Sequence, residues 1–188
     1  NKFTNFFVND FDWKYKIINN ISMFNSELLA NVKNINYEAK NVNIYKKKTT
    51  SELFSSIGYL SQLNLGKEIG GAIHKLTPKI LLRYAPGEMR KEEGGNLLTP
   101  LNAFSMKRIN NIKNFETGLS STVGFDYEIK KNNRDFDFSI AQIVNEKENK
   151  QMPTKTSLDE KLSDIVGASN IKFNDKLEVA YNFSLDQN

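Results

Sequence analysis

Residues 117–144 carry a long, regular alternation of apolar and polar side chains. Apolar residues occupy every second position of a first arm, apart from Ser121, and the same spacing resumes after an asparagine-rich turn at residues 131–134. A period of two is typical of a β-strand with one apolar face and one polar face. We therefore predict an antiparallel hairpin. Its apolar positions are Leu119, Val123, Phe125, Tyr127 and Ile129 in the first arm and Phe136, Phe138, Ile140 and Val144 in the second.

The length of the two arms separates this hairpin from an ordinary one. Each arm runs for about ten residues or more, whereas strands of globular proteins average about five or six. Tilted strands of about nine to eleven residues are long enough to cross a bilayer. A soluble antiparallel sheet with one face on a core gives the same alternation, so the hairpin alone leaves both alternatives open.

Similar alternation predicts six further strands, at about residues 3–18, 21–32, 51–63 and 74–86 and in the two arms of a hairpin at 162–186. Short turns are predicted at Asn19-Asn20, residues 131–134 and Asn174-Asp175. Long polar connections are predicted at residues 33–50, 86–116 and 145–161, the first with room for strand extensions around Ile35 and Tyr37. The glycine-containing connection at 66–75 is intermediate in length.

Such alternation of short and long connections is typical of an outer-membrane barrel. The predicted fold is therefore all-β, an antiparallel up-and-down sheet of about eight long strands that forms part of a large transmembrane β-barrel. Because proline cannot donate a ladder hydrogen bond, we predict that Pro78 lies near the start of the fourth strand or at a bulge.

Composition limits the remaining classes of protein. The chain has 188 residues, a net charge of +4 and no cysteine, which excludes disulfides and thiolate metal sites within it. No run of about 18 apolar residues is present, which excludes a membrane-spanning helix. Basic residues form no concentrated stripe beyond Lys46, Lys47 and Lys48, so nucleic acid is not predicted as a partner. We interpret residues 1–188 as a fragment of a longer barrel domain.

Catalytic chemistry finds little support in the sequence. His74 is the single histidine, it falls in a turn-like segment, and no GxSxG motif or metal-ligand spacing accompanies it. A barrel lipase or protease therefore remains a minor alternative. We predict that the chain is not an enzyme and has no catalytic residue, metal site or cofactor.

Several ordered segments resemble those of one known family. Residues 76–87 (LTPKILLRYAPG) resemble the "LTPK…LRYSPG" segment of the lipopolysaccharide-assembly protein family LptD, also called organic solvent tolerance protein. Residues 102–109 resemble its "FS…R" segment, residues 138–142 its "FSLGQ" strand, and residues 152–167 its "MP…SLxxKxSDIVG" segment. The resemblance covers residues 76–188 and is carried by the motif positions Pro78, Arg83, Tyr84, Pro86, Gly87, Arg108, Gln142, Asp164 and Gly167.

The resemblance implies a function and a set of partners. The chain would be part of an outer-membrane translocon that inserts lipopolysaccharide into the outer leaflet of a Gram-negative bacterium. The implied partners are lipopolysaccharide, an LptE-like lipoprotein that plugs the lumen, outer-membrane lipid, and a periplasmic transport bridge reached through an N-terminal domain that these residues lack. A porin or receptor barrel of another family and a soluble β-sandwich binding module are the alternatives.

In such a barrel the two phases of each strand have different surroundings. We predict that the polar phase lines a wet lumen, with Asp126, Glu128, Asp137, Glu178 and Asn182 as candidates. Trp13, Tyr15, Tyr127 and Tyr181 are candidates for interfacial aromatic girdles. Lys46, Lys47, Lys48, Lys107 and Arg108 fall in connections expected outside the cell, where they are solvated charges or contacts for lipopolysaccharide phosphates.

Overall fold

The computed structural model of the chain describes residues 3–18, 23–43, 45–46, 48–94, 97–109, 111–132, 134–174 and 176–186. Within these ranges nine strands join a single antiparallel sheet, in the order β1-β2-β3-β5-β6-β7-β8-β9 with β4 beside β5. Their bounds are β1 Phe3–Ile17, β2 Phe24–Lys40, β3 Thr50–Leu63, β4 Leu65–Ile69, β5 Ala72–Ala85, β6 Gly118–Lys131, β7 Arg134–Asn145, β8 Ile165–Phe173 and β9 Leu177–Leu185.

This architecture confirms the all-β antiparallel up-and-down prediction. The described strands form an open sheet whose outer strands are β1 and β9, rather than the two packed sheets of a sandwich. One short helix, α1 (Pro100–Ala103), is present among the described residues. No helix in the described part of the chain is long and apolar enough to cross a membrane.

The strand count exceeds the predicted eight because the third arm is interrupted. β3 and β4 pair with β5 in one continuous register, with Gln62 opposite Lys79 and Leu65 opposite Leu76. Asn64 stands between the two strands, and its backbone N–H donates to the Met23 carbonyl at 2.8 Å. The interruption therefore divides one hairpin arm without shifting its pairing.

Three expectations for this region are wrong. The connection predicted at 66–75 is a hairpin that turns tightly at Gly70 and Gly71, whose φ angles of 60° and 71° suit glycine. His74 accordingly lies in β5 rather than in a turn. Pro78 lies inside β5, opposite Phe125 of β6, rather than near the strand start or at a bulge. It is level with the break between β3 and β4, where no ladder partner among the described residues needs its missing N–H.

Strand β2 continues beyond the predicted end near Val32 to Lys40, so the strand extension expected as an option around Ile35 and Tyr37 is present. Beyond Lys33 its apolar residues change phase: Ile35, Tyr37 and Ala39 are buried on the face opposite to Leu28 and Ala30. The long connection predicted at 33–50 is therefore confined to residues 41–49. Lys46 and Lys48 are exposed there, and Lys47 lies outside the described residues.

The predicted turns fall partly outside the described residues, namely Asn19-Asn20, Asn133 of the second turn and Asp175 of the third. The hairpins themselves are described on either side. Lys131 pairs with Arg134, and Phe173 pairs with Leu177, as the central and last hairpins require.

The register sorts the side chains onto two faces, since residues directly opposite in a ladder point to the same side. One row runs from Trp13 through Ala30, Ile57 and Tyr84 to Leu119. We call the face that carries this row the open face, because most of its large apolar side chains are solvent-exposed. The opposite side, which carries Asn31, Lys33, Arg83, Thr122 and Asp126, is the covered face.

Two connections fold over the covered face. The strap is residues 86–117, between β5 and β6, and the second cover is residues 146–164, between β7 and β8. Together with β7 and β8 they enclose the main apolar cluster, which consists of Met89, Leu98, Ala103, Ile109, Ala141, Ile143, Met152, Leu158 and Val166. The main core therefore lies between the covered face of the sheet and the two connections that fold over it. The alternation within the strands predicted only a polar surface on this face.

Candidate functional site

A buried charge cluster fixes the strap to the centre of the sheet. Arg83 of β5 donates from Nε to the Met106 carbonyl at 3.0 Å and from Nη2 to the Glu116 carbonyl at 2.7 Å. Arg108 donates from Nε to Glu116 Oε2 at 3.0 Å and from Nη2 to Ser120 Oγ at 2.7 Å. The Glu116 carboxylate thus lies between two guanidinium groups, and the nearest approach to Arg83 is 3.5 Å. This ion cluster determines how the strap lies on the sheet.

Burial and charge act in opposite directions on Glu116. Burial alone would raise the pKa of its carboxyl group, but the charges of Arg108 and Arg83 and the hydrogen bond from Arg108 together lower the pKa below its usual value. The carboxylate is therefore ionised at neutral pH. Arg83 and Arg108 are 2% and 3% exposed. The expectation that Arg108 is a solvated loop charge, or one available to lipopolysaccharide phosphates, is wrong because the side chain is buried against Glu116.

Gly58 of β3 provides the space in which the strap lies close to the sheet. A Cβ at this position would be 2.5 Å from Met106 Sδ and 3.4 Å from Leu81 Cδ1. Phe115 of the strap stacks on Phe54 of the same strand with ring centroids 5.5 Å apart. The strap thus rests directly on β3 as well as on β5.

A second charged network joins the strap to the outer strand β1. Lys107 Nζ lies 2.6 Å from Asp12 Oδ2 and 2.9 Å from Asp10 Oδ1. Burial lowers the pKa of the Lys107 ammonium group, but the hydrogen bonds and charges of the two aspartates outweigh it and raise the pKa above its usual value. Lys107 is therefore a charged crosslink between the strap and β1, and it is not free for an external ligand.

Asp164 and Gly167 organise the second cover. Asp164 directly precedes β8 and accepts hydrogen bonds from Ser157 Oγ at 2.8 Å and from Ser184 Oγ of β9 at 2.7 Å. Gly167 lies opposite Phe183, whose ring occupies the position that a Cβ on this glycine would take. Gln142 of β7 donates to the Ser163 carbonyl at 3.0 Å. These three motif positions hold the second cover and the last hairpin together.

The remaining motif positions lie where the strap leaves β5. Tyr84 is on the open face and half exposed. Pro86 and Gly87 begin the strap, and Gly87 has a φ of 102°, a conformation that L side chains rarely adopt. Pro86, Gly87 and Arg108 line a cavity of about 680 Å³ between the strap and the second cover. These motif positions therefore lie at a junction between the strap and the second cover.

All five predicted lumen residues lie on the covered face, because their ladder partners share its phase. Lys79 contacts Asp126 at 2.6 Å, Lys75 contacts Glu128 at 3.3 Å, and Asn170 donates to Glu178 at 2.7 Å. A groove of about 490 Å³ beneath α1 is lined by four of the five, Asp126, Glu128, Asp137 and Asn182. The structure thus brings most of the predicted polar set to one place.

The candidate girdle aromatics lie on the open face. Trp13 and Tyr15 stack with ring centroids 6.0 Å apart, and both are exposed, as is Tyr181. Tyr127 is half-buried, and its hydroxyl lies 2.7 Å from Nδ1 of His74. His74 therefore pairs with a tyrosine of the neighbouring strand. The described residues contain no group of three or more His, Cys, Asp or Glu side chains that could hold a metal ion.

Sequence reasoning missed most of the strap anchors, namely Asp10, Asp12, Lys33, Gly58, Met106, Glu116 and Asn114. Charged residues inside strands, such as Asp10 and Lys33, are the one sequence signal for such contacts. Their partners in the strap lie far along the chain, and no periodicity identifies them.

The family model described as "LptD: LPS transport system D" matches residues 8–188. The match confirms the family resemblance and extends it towards the N-terminus, since the ordered motifs began only at residue 76. No curated protein matches the chain significantly.

Proposed function

Because the chain belongs to the LptD family, which acts in lipopolysaccharide transport at the outer membrane, we propose that it forms part of a barrel wall in the translocon that inserts lipopolysaccharide into the outer leaflet. The observation that carries this proposal is the contrast between the two faces. The open face exposes Trp13, Ile57, Leu82 and Tyr181, whereas the protein's own connections cover the polar face.

The exposed apolar side chains of the open face favour contact with membrane lipid over contact with water. Monomeric soluble proteins rarely expose contiguous apolar patches larger than a few hundred Å². A lipid-facing sheet needs its backbone groups paired within the wall, and antiparallel ladders join each strand to its neighbours from β1 to β9. In the proposed barrel, β1 and β9 pair with further strands of the wall.

The covered face would line the lumen. The strap and the second cover occupy its long-connection end, and the carboxylates Asp126, Glu128 and Asp137 lie in the groove beneath α1. In this proposal the long connections lie towards the cell exterior and the short turns towards the periplasm. An LptE-like lipoprotein in the lumen and the periplasmic lipopolysaccharide bridge are the proposed protein partners.

The proposed activity needs no covalent chemistry and no cofactor. The wall provides lipid contact on the open face and polar contact on the covered face. In this proposal, lipopolysaccharide moves from the lumen to the membrane without any covalent bond being made or broken. We therefore propose a non-enzymatic role for Asp126, Glu128, Asp137, Glu178 and Asn182 as polar lining of the lumen.

Photo-crosslinking in the full-length protein within its native outer membrane tests this proposal. A photoreactive residue at Phe125 or Tyr127 on the open face should capture membrane lipid. The same residue at the adjacent positions Asp126 or Glu128 should capture lipopolysaccharide or a lumenal lipoprotein. Absence of lipid adducts from both open-face sites would contradict membership of a lipid-facing wall. Lipid adducts at 125 and 127 without any capture at 126 and 128 would contradict the translocon assignment alone.

A further inference from the structure

The strap contacts the covered face of β1, β2, β3, β5 and β6, and its helix α1 also lies against β7 and β8. Thr122 of β6 donates to the Ala103 carbonyl at 3.0 Å, and Arg83 of β5 binds the Met106 and Glu116 carbonyls. Phe54 of β3 stacks on Phe115. Lys33 of β2 donates from Nζ to the Asn114 carbonyl at 3.3 Å. One connection therefore runs across the strands, perpendicular to the ladders that hold them.

The end of the strap near β5 and β6 is fixed by buried charge. Removing one partner from a buried ion cluster leaves an uncompensated charge, which is strongly destabilising. Since Arg83 also binds the Met106 carbonyl, the backbone next to Lys107 is fixed as well. The Lys107 side chain extends from this point towards the edge of the sheet.

The contact between the strap and β1 is partly exposed, unlike the buried ion cluster around Glu116. Lys107 reaches two aspartates of this outer strand, and its side chain is 31% exposed while that of Asp12 is 66% exposed. Asp10 also faces Lys33 at 3.5 Å, so the strap and β2 share the same carboxylate. Partly exposed ion pairs weaken as salt is added, because the Debye length falls from about 10 Å at 0.1 M to about 3 Å at 1 M.

We infer that the strap is a transverse brace of the sheet and that Lys107 is its salt-sensitive clamp on β1. The brace holds β1 and β2 at a fixed position relative to β5 and β6, through a path that the strand ladders do not supply. Loss of the clamp should loosen β1 while the strap stays docked on β3, β5 and β6. In a wall of many strands this would let one segment flex without unfolding the rest.

Hydrogen exchange of the full-length protein in lipid vesicles tests the clamp without reference to any cargo. In K107A the amides of β1 should exchange about tenfold faster than in the parent protein, because a charge-assisted contact to two aspartates is lost. The amides of β5 and β6 should keep their rates. The matched control is K150A, which removes an exposed lysine of the second cover that contacts Glu148 at 2.8 Å.

Exchanging the charges at positions 107 and 12 tests whether Lys107 acts through its ion pairs with β1 or only through packing. The double variant K107D/D12K should exchange more slowly in β1 than K107D alone, because the carboxylate introduced at position 107 can pair with the ammonium group introduced at position 12, whereas K107D alone places a third carboxylate beside Asp10 and Asp12. In 1 M salt the parent protein should approach the exchange rate of K107A. Unchanged β1 exchange in K107A would overturn the clamp, and equal acceleration of β1, β5 and β6 would show that Lys107 supports docking of the whole strap instead. Neither result depends on lipopolysaccharide capture, so failure of the clamp and failure of the proposed function remain distinguishable.

Discussion

Gly58 of β3 lies directly beneath Met106 of the strap, so closely that a Cβ on the glycine would be 2.5 Å from Met106 Sδ. The substitution G58A should therefore push Met106 off the sheet. Because a methionine side chain can move aside, we expect a modest loss of about 1 kcal/mol in the free energy of unfolding. Denaturant unfolding of the full-length protein in lipid vesicles measures this loss.

The control for G58A is G66A, since the nearest atom to a Cβ at Gly66 is a backbone oxygen at 3.9 Å. Removal of the Met106 side chain in the double variant G58A/M106A should abolish the steric part of the effect. Equal stability of G58A and G66A would show that the strap does not lie this close to β3.

Glu116 should be the strongest single anchor of the strap. E116Q leaves Arg83 and Arg108 buried without a counter-charge, and loss of a partner from such a cluster costs about 3–5 kcal/mol. We expect protease cleavage within the strap of E116Q under conditions in which the parent protein resists. The exposed carboxylate Glu148 supplies the control, E148Q, which should leave the strap protected.

Glu116 should also make the docking of the strap on the sheet dependent on pH. Because the pKa of Glu116 is lower in the folded state than its ordinary value of 4.5, its contribution to stability is complete above about pH 4.5. It is lost as the pH falls through the folded-state pKa, where the carboxylate takes up a proton. Protease protection of the strap should therefore decline in this acidic window in the parent protein. E116Q should show no such transition, and an identical transition in both proteins would assign it to another group.

Gly167 and Phe183 should behave as a coupled pair on the open face. The ring of Phe183 occupies the place of a Cβ at Gly167, so G167A should displace the ring and cost about 1–3 kcal/mol. In the F183A background the same alanine should cost much less. A double-mutant cycle of unfolding free energies measures the coupling, and strictly additive effects would mean that the two residues do not touch.

Asp164 should connect the second cover to the last strand. D164A removes the acceptor of both Ser157 and Ser184, and loss of such charge-assisted bonds should cost about 1.5–3 kcal/mol. S184A removes only the contact with β9 and should cost less. A larger effect for S184A than for D164A in vesicle unfolding would contradict the role of Asp164 as the shared acceptor.

The sequence predicts the strands well where one apolar phase persists along an arm, as it does from Leu119 to Ile129 in β6. It fails in β2 because the apolar residues change phase after Lys33, from the side of Ala30 to the side of Ile35. That change has a physical cause. Near the long connections the covered face buries Ile35 and Tyr37 together with Phe6 and Tyr45, so the apolar side of the strand there is the inner one.

The covered face itself was only half predictable. Alternation placed Asp126 and Glu128 opposite Phe125 and Tyr127, and the register bears out that division. The strap was expected as an external loop because it lacks periodicity and contains glycine and proline. Its docking depends on pairs such as Lys107 with Asp12, which are distant in sequence and have no local signal.

Spin labels placed one at a time along β6 test the central claim, that the two faces of this sheet have different surroundings. In the full-length protein in its lipid bilayer, labels at Val123 and Phe125 should collide readily with oxygen, which concentrates in lipid. Labels at Thr122 and Asp126 should be shielded from oxygen, with Thr122 buried beneath the strap. A period of two in oxygen accessibility is the predicted result. Equal accessibility at all four positions, or a maximum at Thr122 and Asp126, would contradict the account.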